Sequence, residues 1–512
     1  MKTTKPLRQL IPDIIRQFYR YQEQIQFDLE LYRMHEGQIR TQVEQSLAKE
    51  IISKSAYNRA VQRIPSINLP RKVTDKLSKV YAQAPIRFSE VDKELMEEFA
   101  AQMHLNAVLN HCNAMTNLNK RSALEIFQED GKQKVRVLAA HQFFVYSDSP
   151  TSPEKMTVFC KLLGRDEAYT DTVADQQGNR RDPQRNIRRV DIMALYSEDE
   201  ILVIDSDGSI RTDKMAEMGI TSTANPFGVI PFVYANKSMT ELIPFPNQTA
   251  YDMGILVPKL LTDLNYSAQF LSHSIVYTVD ADIEKAELNP DAVVNLGSSD
   301  ADTGKSPQIG TIDPKTDIEG ILSLIEFEMG AYLTTEGLKT GSIGRLEAGS
   351  ETSGISKMVD ESDATEARKQ QTELFRWVET DFWMKFSKMQ AVWATEASVE
   401  NGQTFDPDFY KSFSIRFAEI KPLESEKERY EKMKVARDLK LITKRRALKE
   451  LYPNLAEEQL DQWIEELEEE GAKEKEEMLS MGLTPGFTQL ARQQQGVSDE
   501  KMAQKEEGNE EE

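Results

Sequence analysis

Two stretches near the middle of the chain carry apolar residues at spacings of three and four, which place each set on one face of an α-helix. In the predicted helix 247–275 the set is Val257, Leu260, Leu261, Leu264, Ala268, Leu271 and Ile275. In the predicted helix 315–338 it is Ile318, Ile321, Leu322, Ile325, Met329, Tyr332 and Leu333. A short connection favours an antiparallel pair. The residues expected to form its interface are Leu260, Leu264, Leu271, Ile321, Ile325 and Met329.

The segments around the second helix differ from it in composition. Residues 276–314 combine glycines and prolines with β-prone runs at 276–279 and 293–296, which predicts a small β-rich tip between the helices. Residues 339–354, KTGSIGRLEAGSETSG, hold four glycines and predict a loop, because glycine at this density does not sustain a helix. A long helix is predicted over 355–399.

The N-terminal part changes from helical to β-rich character. Residues 8–62 are predicted to be rich in helix, and further helices are predicted at 71–83 and 91–115. Residues 120–235 contain β-like runs around Asp130–Gly131 and Asp207–Gly208, dipeptides that are typical of hairpin turns. The whole chain is therefore expected to be α+β and mainly helical.

The C-terminal part returns to helices. A strand-like run within 402–421 precedes three predicted helices in 422–479, where Thr443 is the expected N-cap of one helix. Residues 457–477 hold eleven acidic and two basic side chains. Residues 480–512 have too few apolar side chains to offset the entropy of ordering, so we expect them to be disordered.

Composition narrows the classes of protein that this chain fits. Its 512 residues carry a net charge of −22, whereas a protein that grips nucleic acid usually presents a basic surface. Cys112 and Cys160 offer no disulfide framework, which fits a reducing cytoplasm. The N-terminal residues are interrupted by charge and predict no signal peptide. No stretch reaches the length of an apolar membrane span, so no membrane is expected as a partner.

Motifs for catalysis or metal binding are missing from the sequence. No His-x-x-x-His or Cys-x-x-Cys pair occurs, and His111 and Cys112 are adjacent in a helical stretch, where neighbours point to different sides. The GKS at 304–306 ends a near-miss to a phosphate-binding loop, because Ser299 stands where that motif needs glycine and Pro307 follows. We therefore expect no enzymatic activity, metal or cofactor.

The order of these parts resembles the portal protein of tailed double-stranded DNA bacteriophages. The resemblance runs from about residue 10 to 470 and rests on architecture and local patterns rather than on one motif. Three segments look like landmarks of the portal wing: LELYRMHEG (29–37), INLPRKVTDKLSKVYAQAP (67–85) and NPFGVIPFVYANK (225–237). LKLITKRRALKELYPNL (439–455) looks like part of the portal crown.

The resemblance implies a division of the chain into named parts. These are a wing (1–246, with its β-rich part at 120–235), stem helix 1 (247–275), a clip (276–314), stem helix 2 (315–338), a tunnel loop (339–354), a long kinked wing helix with a closing strand (355–421), a crown (422–479) and an acidic tail (480–512).

Function and partners follow from the same resemblance. Portal subunits form a ring, expected here to be a dodecamer, at one capsid vertex, where double-stranded DNA passes through the axial channel during packaging and ejection. The ring nucleates procapsid assembly with the major capsid and scaffolding proteins. It docks the terminase large subunit and later the head–tail adaptor. The expected location is the virion, after assembly in the host cytoplasm.

The resemblance also assigns candidate residues. In the tunnel loop and just after it, Lys339, Ile343, Arg345, Leu346 and Lys357 are expected to face the channel, with the cations making weak, salt-sensitive DNA contacts. In the clip, Lys285 and Lys305 are the cations expected at the docking surface.

Three alternatives stay open at this point. A ring-forming head-completion or tail protein would share the lack of catalysis. A nuclease or packaging ATPase is disfavoured by the failed phosphate loop and the missing metal clusters. A cellular helical scaffold protein would stay a monomer or dimer.

Overall fold

The structure is a computed structural model. It describes residues 2–90, 92–169, 187–238, 240–271, 275–279, 308–312, 318–338, 354–396, 405–406, 409–417, 426–439, 441–452, 459–467, 469 and 473. The fold is α+β and rich in helix, and the chain divides into two compact units, Met1–Ile420 and Lys421–Glu512.

The helices of the first unit are α1 (Leu7–Arg33), α2 (Ile39–Glu50), α3 (Lys54–Val61), α4 (Leu69–Leu77), α5 (Lys93–Gln102), α6 (Leu105–Asn119), α7 (Thr212–Glu217), α8 (Gln248–Leu271), α9 (Ile318–Thr335), α10 (Gly354–Glu396) and α11 (Phe409–Ser412). A π-helical turn, Met34–Gln38, joins α1 to α2. The second unit contains α12 (Glu426–Asp438), α13 (Lys444–Leu451) and a helical segment at 459–467.

The strands are β1 (Ile86–Phe88), β2 (Arg121–Glu129), β3 (Lys132–Ala139), β4 (Phe143–Tyr146), β5 (Val158–Tyr169), β6 (Ile187–Tyr196), β7 (Ile201–Asp205), β8 (Phe232–Asn236), β9 (Ile275–Val279), β10 (Gln308–Ile312) and β11 (Ser414–Arg416). They form antiparallel sheets of order β4-β5-β6-β7 and β3-β2-β8, and the pairs β1-β11 and β9-β10.

The body of the first unit is a stack of four layers. Side chains that point alternately to the two faces of each strand hold these layers together. On β4, Phe144 packs against α1, whereas Phe143 faces the second sheet. On β8, Phe232 packs on the first sheet, whereas Val233 belongs to the cluster formed with α6 and α10. Successive side chains of a strand point to opposite faces, so each sheet has an apolar layer on both sides.

A buried ion pair joins α1 to the start of β2. Asp28 accepts a hydrogen bond of 2.9 Å from Arg121 and one of 3.1 Å from Asn119. Both side chains of the ion pair are fully buried. Burial raises the pKa of the Asp28 carboxyl, and the positive charge of Arg121 opposes that rise. The pair therefore fixes the position of α1 against the sheets.

A second buried group holds α10 on the body. Glu379 lies on α10 with a side chain that is 0% exposed, and it accepts hydrogen bonds from Arg87 at 2.6 Å and from the Tyr81 hydroxyl at 2.8 Å. Nearer the start of α10, Arg368 donates to the Lys79 carbonyl at 2.8 Å. These two contacts fix α10 to the segment around β1.

Several predicted boundaries were wrong for local reasons. The helix predicted at 71–83 ends at Leu77, because Ser78 leaves the helical region at ψ 65°. The helix predicted at 91–115 is two helices, α5 and α6, separated where His104 adopts a left-handed φ of 49°. Ile275, placed on the stripe of the first long helix, begins strand β9 instead. Strand β10 lies within the segment 276–314 that was predicted to be β-rich, although this run was not named as a strand.

Other sequence predictions are confirmed. The Asp130–Gly131 turn joins β2 to β3, and Gly131 has the positive φ of 74° that such a turn requires. Strand β9 covers the β-prone run 276–279, and the run 293–296 lies outside the described residues. Thr443 caps α13 by accepting from the Arg446 amide at 3.3 Å.

We predict that Asp28→Ala destabilises the first unit by about 3–5 kcal/mol, because it leaves the Arg121 charge buried without its partner. Urea unfolding measures the change. The matched control is Asp13→Ala, which removes an exposed partner of Arg16 on the same helix and should cost within about 0.5 kcal/mol. Equal losses in the two variants would contradict this role of the buried pair.

Candidate functional site

The strongest candidate is the helix pair α8–α9 with its β-ladder. Helix α8 leads within a few residues into β9, and β10 leads in the same way into α9. Because β9 and β10 pair antiparallel, from Ile275↔Ile312 to Val279↔Gln308, the two helices run in opposite directions. The 24 residues of α8 span about 36 Å. The arrangement is a long hairpin of helices that continues into strands at one end.

Five of the six residues predicted for the interface of this pair belong to one apolar cluster or pack against it. Ile325 is buried, and Leu260, Leu264, Ile321 and Met329 pack against the same apolar cluster. Leu271 is the last residue of α8, and its side chain lies outside the described part of the chain. Leu322, which the sequence placed on the same stripe, is instead 42% exposed.

The N-terminal half of α8 is fixed to the body. Tyr251 donates to Glu30 of α1 at 2.9 Å, and Lys259 pairs with Glu50 of α2 at 2.6 Å. At Gly254 the helix touches α4, where an added Cβ would lie 2.8 Å from Pro70 Cγ and would also collide with Met34. Glycine is needed there for close approach. The pair therefore leaves the body in a fixed direction.

Helix α9 also exposes large apolar side chains on its outer side. Leu324 is 45% exposed and Phe327 is 70% exposed. Apolar residues thus extend around much of α9, a pattern typical of helices buried from more than one side. Phe327 was not predicted as an interface residue, because it lies off the single apolar stripe that the residue spacing indicates. A second surface that covers this side of α9 would complete its burial.

The helix pair carries few positive charges. Helix α9 has no lysine or arginine, and Lys259, the only one in α8, is held by Glu50. Acidic residues on the pair include Glu319, Glu326 and Asp263. Burial raises the pKa of Asp263, with Lys259 opposing the rise. These two helices would repel phosphate rather than grip it.

Most of the residues predicted for the loop and the tip lie outside the described part of the chain. Lys339, Ile343, Arg345 and Leu346 lie outside the described residues, as do Lys285 and Lys305. Lys357 lies on α10, and its side chain is not among those described.

Both ends of the predicted loop 339–354 are nevertheless described. Before it, Gly337 has φ 73° and the Leu338 amide donates to the Leu333 carbonyl at 2.8 Å, a cap that ends α9. Leu338 itself is buried. After it, α10 begins at Gly354. The chain therefore enters the loop from a fixed point on the body.

Catalytic groups are not brought together in the described part of the chain. No cluster of three or more His, Cys, Asp or Glu residues able to hold a metal occurs among the described residues. Burial raises the pKa of the Cys112 thiol to about 11, and that of Cys160 well above its usual value. Both thiols are thus protonated and inaccessible at neutral pH. The prediction that the chain is not an enzyme stays a prediction.

Comparison with models of protein families and with curated protein sequences found no match to this chain. Among the helices of the described residues, none has the length and apolar character that crossing a membrane requires.

We predict that Ile325→Ala destabilises the helix pair by about 2–5 kcal/mol, since it opens a cavity in a buried cluster. The adjacent Leu324→Ala removes an equal volume from a position that is 45% exposed, and it should cost about 1 kcal/mol or less. Urea unfolding at low protein concentration measures both. If Leu324→Ala proves the costlier change, the burial assigned to the two faces is wrong.

Proposed function

We propose that the chain is the subunit of a ring that serves as the portal of a tailed double-stranded DNA bacteriophage. The observation that carries the proposal is the helix pair α8–α9. It leaves the body as a hairpin, and the outer side of α9 stays apolar and exposed in a single copy. A head-to-tail contact that covers this side in each neighbour would close a ring.

The charge of the helix pair supports a channel for moving DNA. Every phosphate contact made by a wall must be broken again as the duplex advances, so a wall with few cations offers little resistance. Helix α9 has no basic residue, and α8 has one, which is already paired. Weak contacts would come from Lys339 and Arg345 in the loop 339–354, with Lys357 behind it.

The partners follow from this role. The segment 276–314 at the end of the hairpin, with Lys285 and Lys305, would dock the terminase large subunit and later the head–tail adaptor. Twelve copies of the chain would form the ring at one capsid vertex. The major capsid and scaffolding proteins would surround this dodecamer. No catalysis is assigned to the chain, because the motor that consumes nucleotide would be a separate protein.

The ring is the first prediction of this proposal. Purified protein should show rings with a central hole by negative-stain microscopy, and Phe327→Glu should raise the concentration needed for assembly at least about tenfold, because it puts a charge into an apolar contact. Ile52→Glu is the matched control, since Ile52 is fully exposed on the connection between α2 and α3. A chain that stays monomeric at micromolar concentration in several salts would contradict the ring.

The loop gives the second prediction. Replacing Lys339 and Arg345 with glutamate should leave ring formation unchanged and reduce the amount of DNA that is packaged or retained, because the weak phosphate contacts become repulsive. The control is Lys54→Glu with Lys72→Glu, which makes the same charge change at exposed positions of the body. If the loop variant packages and keeps a full genome, the DNA contact lies elsewhere.

A further inference from the structure

Three helices of the first unit lie in a row, with α8 between α3 and α9. The side of α8 that packs in the apolar cluster with α9 carries Val257, Leu261 and Leu264. On another side, Lys259 pairs with Glu50 shortly before α3 begins. Just after α3 ends, the Arg63 guanidinium lies over the Tyr266 ring at 5.3 Å. With about 3.6 residues per turn these two sides of α8 are opposite, so the outer faces of α3 and α9 form the two ends of the row.

The outer side of α9 carries a stripe without charged residues. Its members, all exposed and spaced by one, three or four residues, are Ser323, Leu324, Phe327, Ala331 and Thr334. Glu319 and Glu326 border one side of this stripe. Both glutamates are exposed, and neither forms an ion pair with any residue that the structure describes. One end of the row is therefore apolar with a negative margin.

The outer side of α3 carries the opposite charge. This helix has two basic residues and no acidic one, whereas α9 has three acidic residues and no basic one. Arg59 on α3 is exposed, and its guanidinium forms no ion pair within the described part of the chain. The two ends of the row are thus complementary in charge.

Arg59 and Glu326 lie at about the same height along the helix pair. Because the contacts at Lys259 and Tyr266 mark the start and the end of α3, this helix runs in the same direction as α8. Tyr266 lies five residues before the end of α8, and Arg59 is one helical turn before Arg63. Glu326 follows the first residue of α9 by eight residues. At about 1.5 Å per residue, both positions lie about 12–14 Å from the helix ends that lead to β9 and β10.

We infer that the exposed side of α9 in one copy packs against α3 of the next copy, with Glu326 opposite Arg59. This inference rests on the proposed function and deepens it, because it names the surface that covers α9 in the ring. A row that is joined through its two different ends repeats head to tail, which is the arrangement that closes a ring. The start of α3, with Lys54 and the preceding Ile52, lies nearer the body and outside this contact.

The experiment reverses each charge of the pair in the full chain. Arg59→Glu and Glu326→Arg should each need at least about tenfold more protein to assemble at about 50 mM salt, because each places like charges opposite one another. The double form, with both changes, should return to within about threefold of the unaltered chain, because the opposite charges face each other again. Since α8 separates the two positions within one copy, such rescue requires a contact between copies.

Mass photometry over a range of concentrations measures assembly, and circular dichroism checks that each form folds. The matched controls are Arg8→Glu, Glu90→Arg and the two together, which make the same charge changes at exposed positions outside the row. The controls should assemble like the unaltered chain. About 1 M salt should remove most of the difference between the single forms and the unaltered chain.

The possible failures of the inference and of the proposed ring can be told apart. If both single forms assemble like the unaltered chain, or if the double form stays as weak as the single forms, α3 does not receive α9 and the inference is wrong. If Phe327→Glu weakens assembly while all forms altered at Arg59 and Glu326 assemble normally, a different surface of the neighbour covers α9. Rings of the unaltered chain would survive these results, whereas an unaltered chain that stays monomeric overturns the proposed ring as well.

Discussion

The burial of one ion pair determines where the helix pair leaves the body. Asp28 on α1 holds Arg121, the first residue of β2, and Asn119, the last residue of α6. Next to this corner, Asn247 donates to the Leu118 carbonyl at 3.1 Å just before α8 begins. A buried pair contributes little net stability compared with apolar packing, but it tolerates few alternative geometries. Its main effect here is to fix three elements at one point.

That fixed point matters because a change of angle at the base of the hairpin displaces its far end. A small rotation of a helix about 36 Å long displaces its far end by several ångström. Close packing at Gly254 and the Tyr251–Glu30 hydrogen bond restrict such rotation. If many copies are to place their α9 helices side by side, each copy must present the same angle. The rigid base therefore serves the proposed assembly more than the stability of one chain.

The helix pair was predictable from the sequence, because spacing alone reports which residues share a face. Ile325 and the side chains that pack around it follow from this rule. The break at His104 was not predictable, since it depends on a left-handed residue inside an otherwise helical pattern. Strand β10 was not named as a strand, because a five-residue strand is recognised through its partner, β9, and pairing is a property of the fold. The buried Asp28–Arg121 pair was missed for the same reason.

Helix α9 shows how a single sequence pattern can record two kinds of burial. Its inner residues pack within the chain, and the exposed Leu324 and Phe327 have no described surface to cover them. Exposing 70% of an aromatic side chain to water costs free energy, and a monomer gains nothing in return. In the proposed ring, a neighbouring copy would cover this side of α9. A closed head-to-tail ring would meet that condition for every subunit.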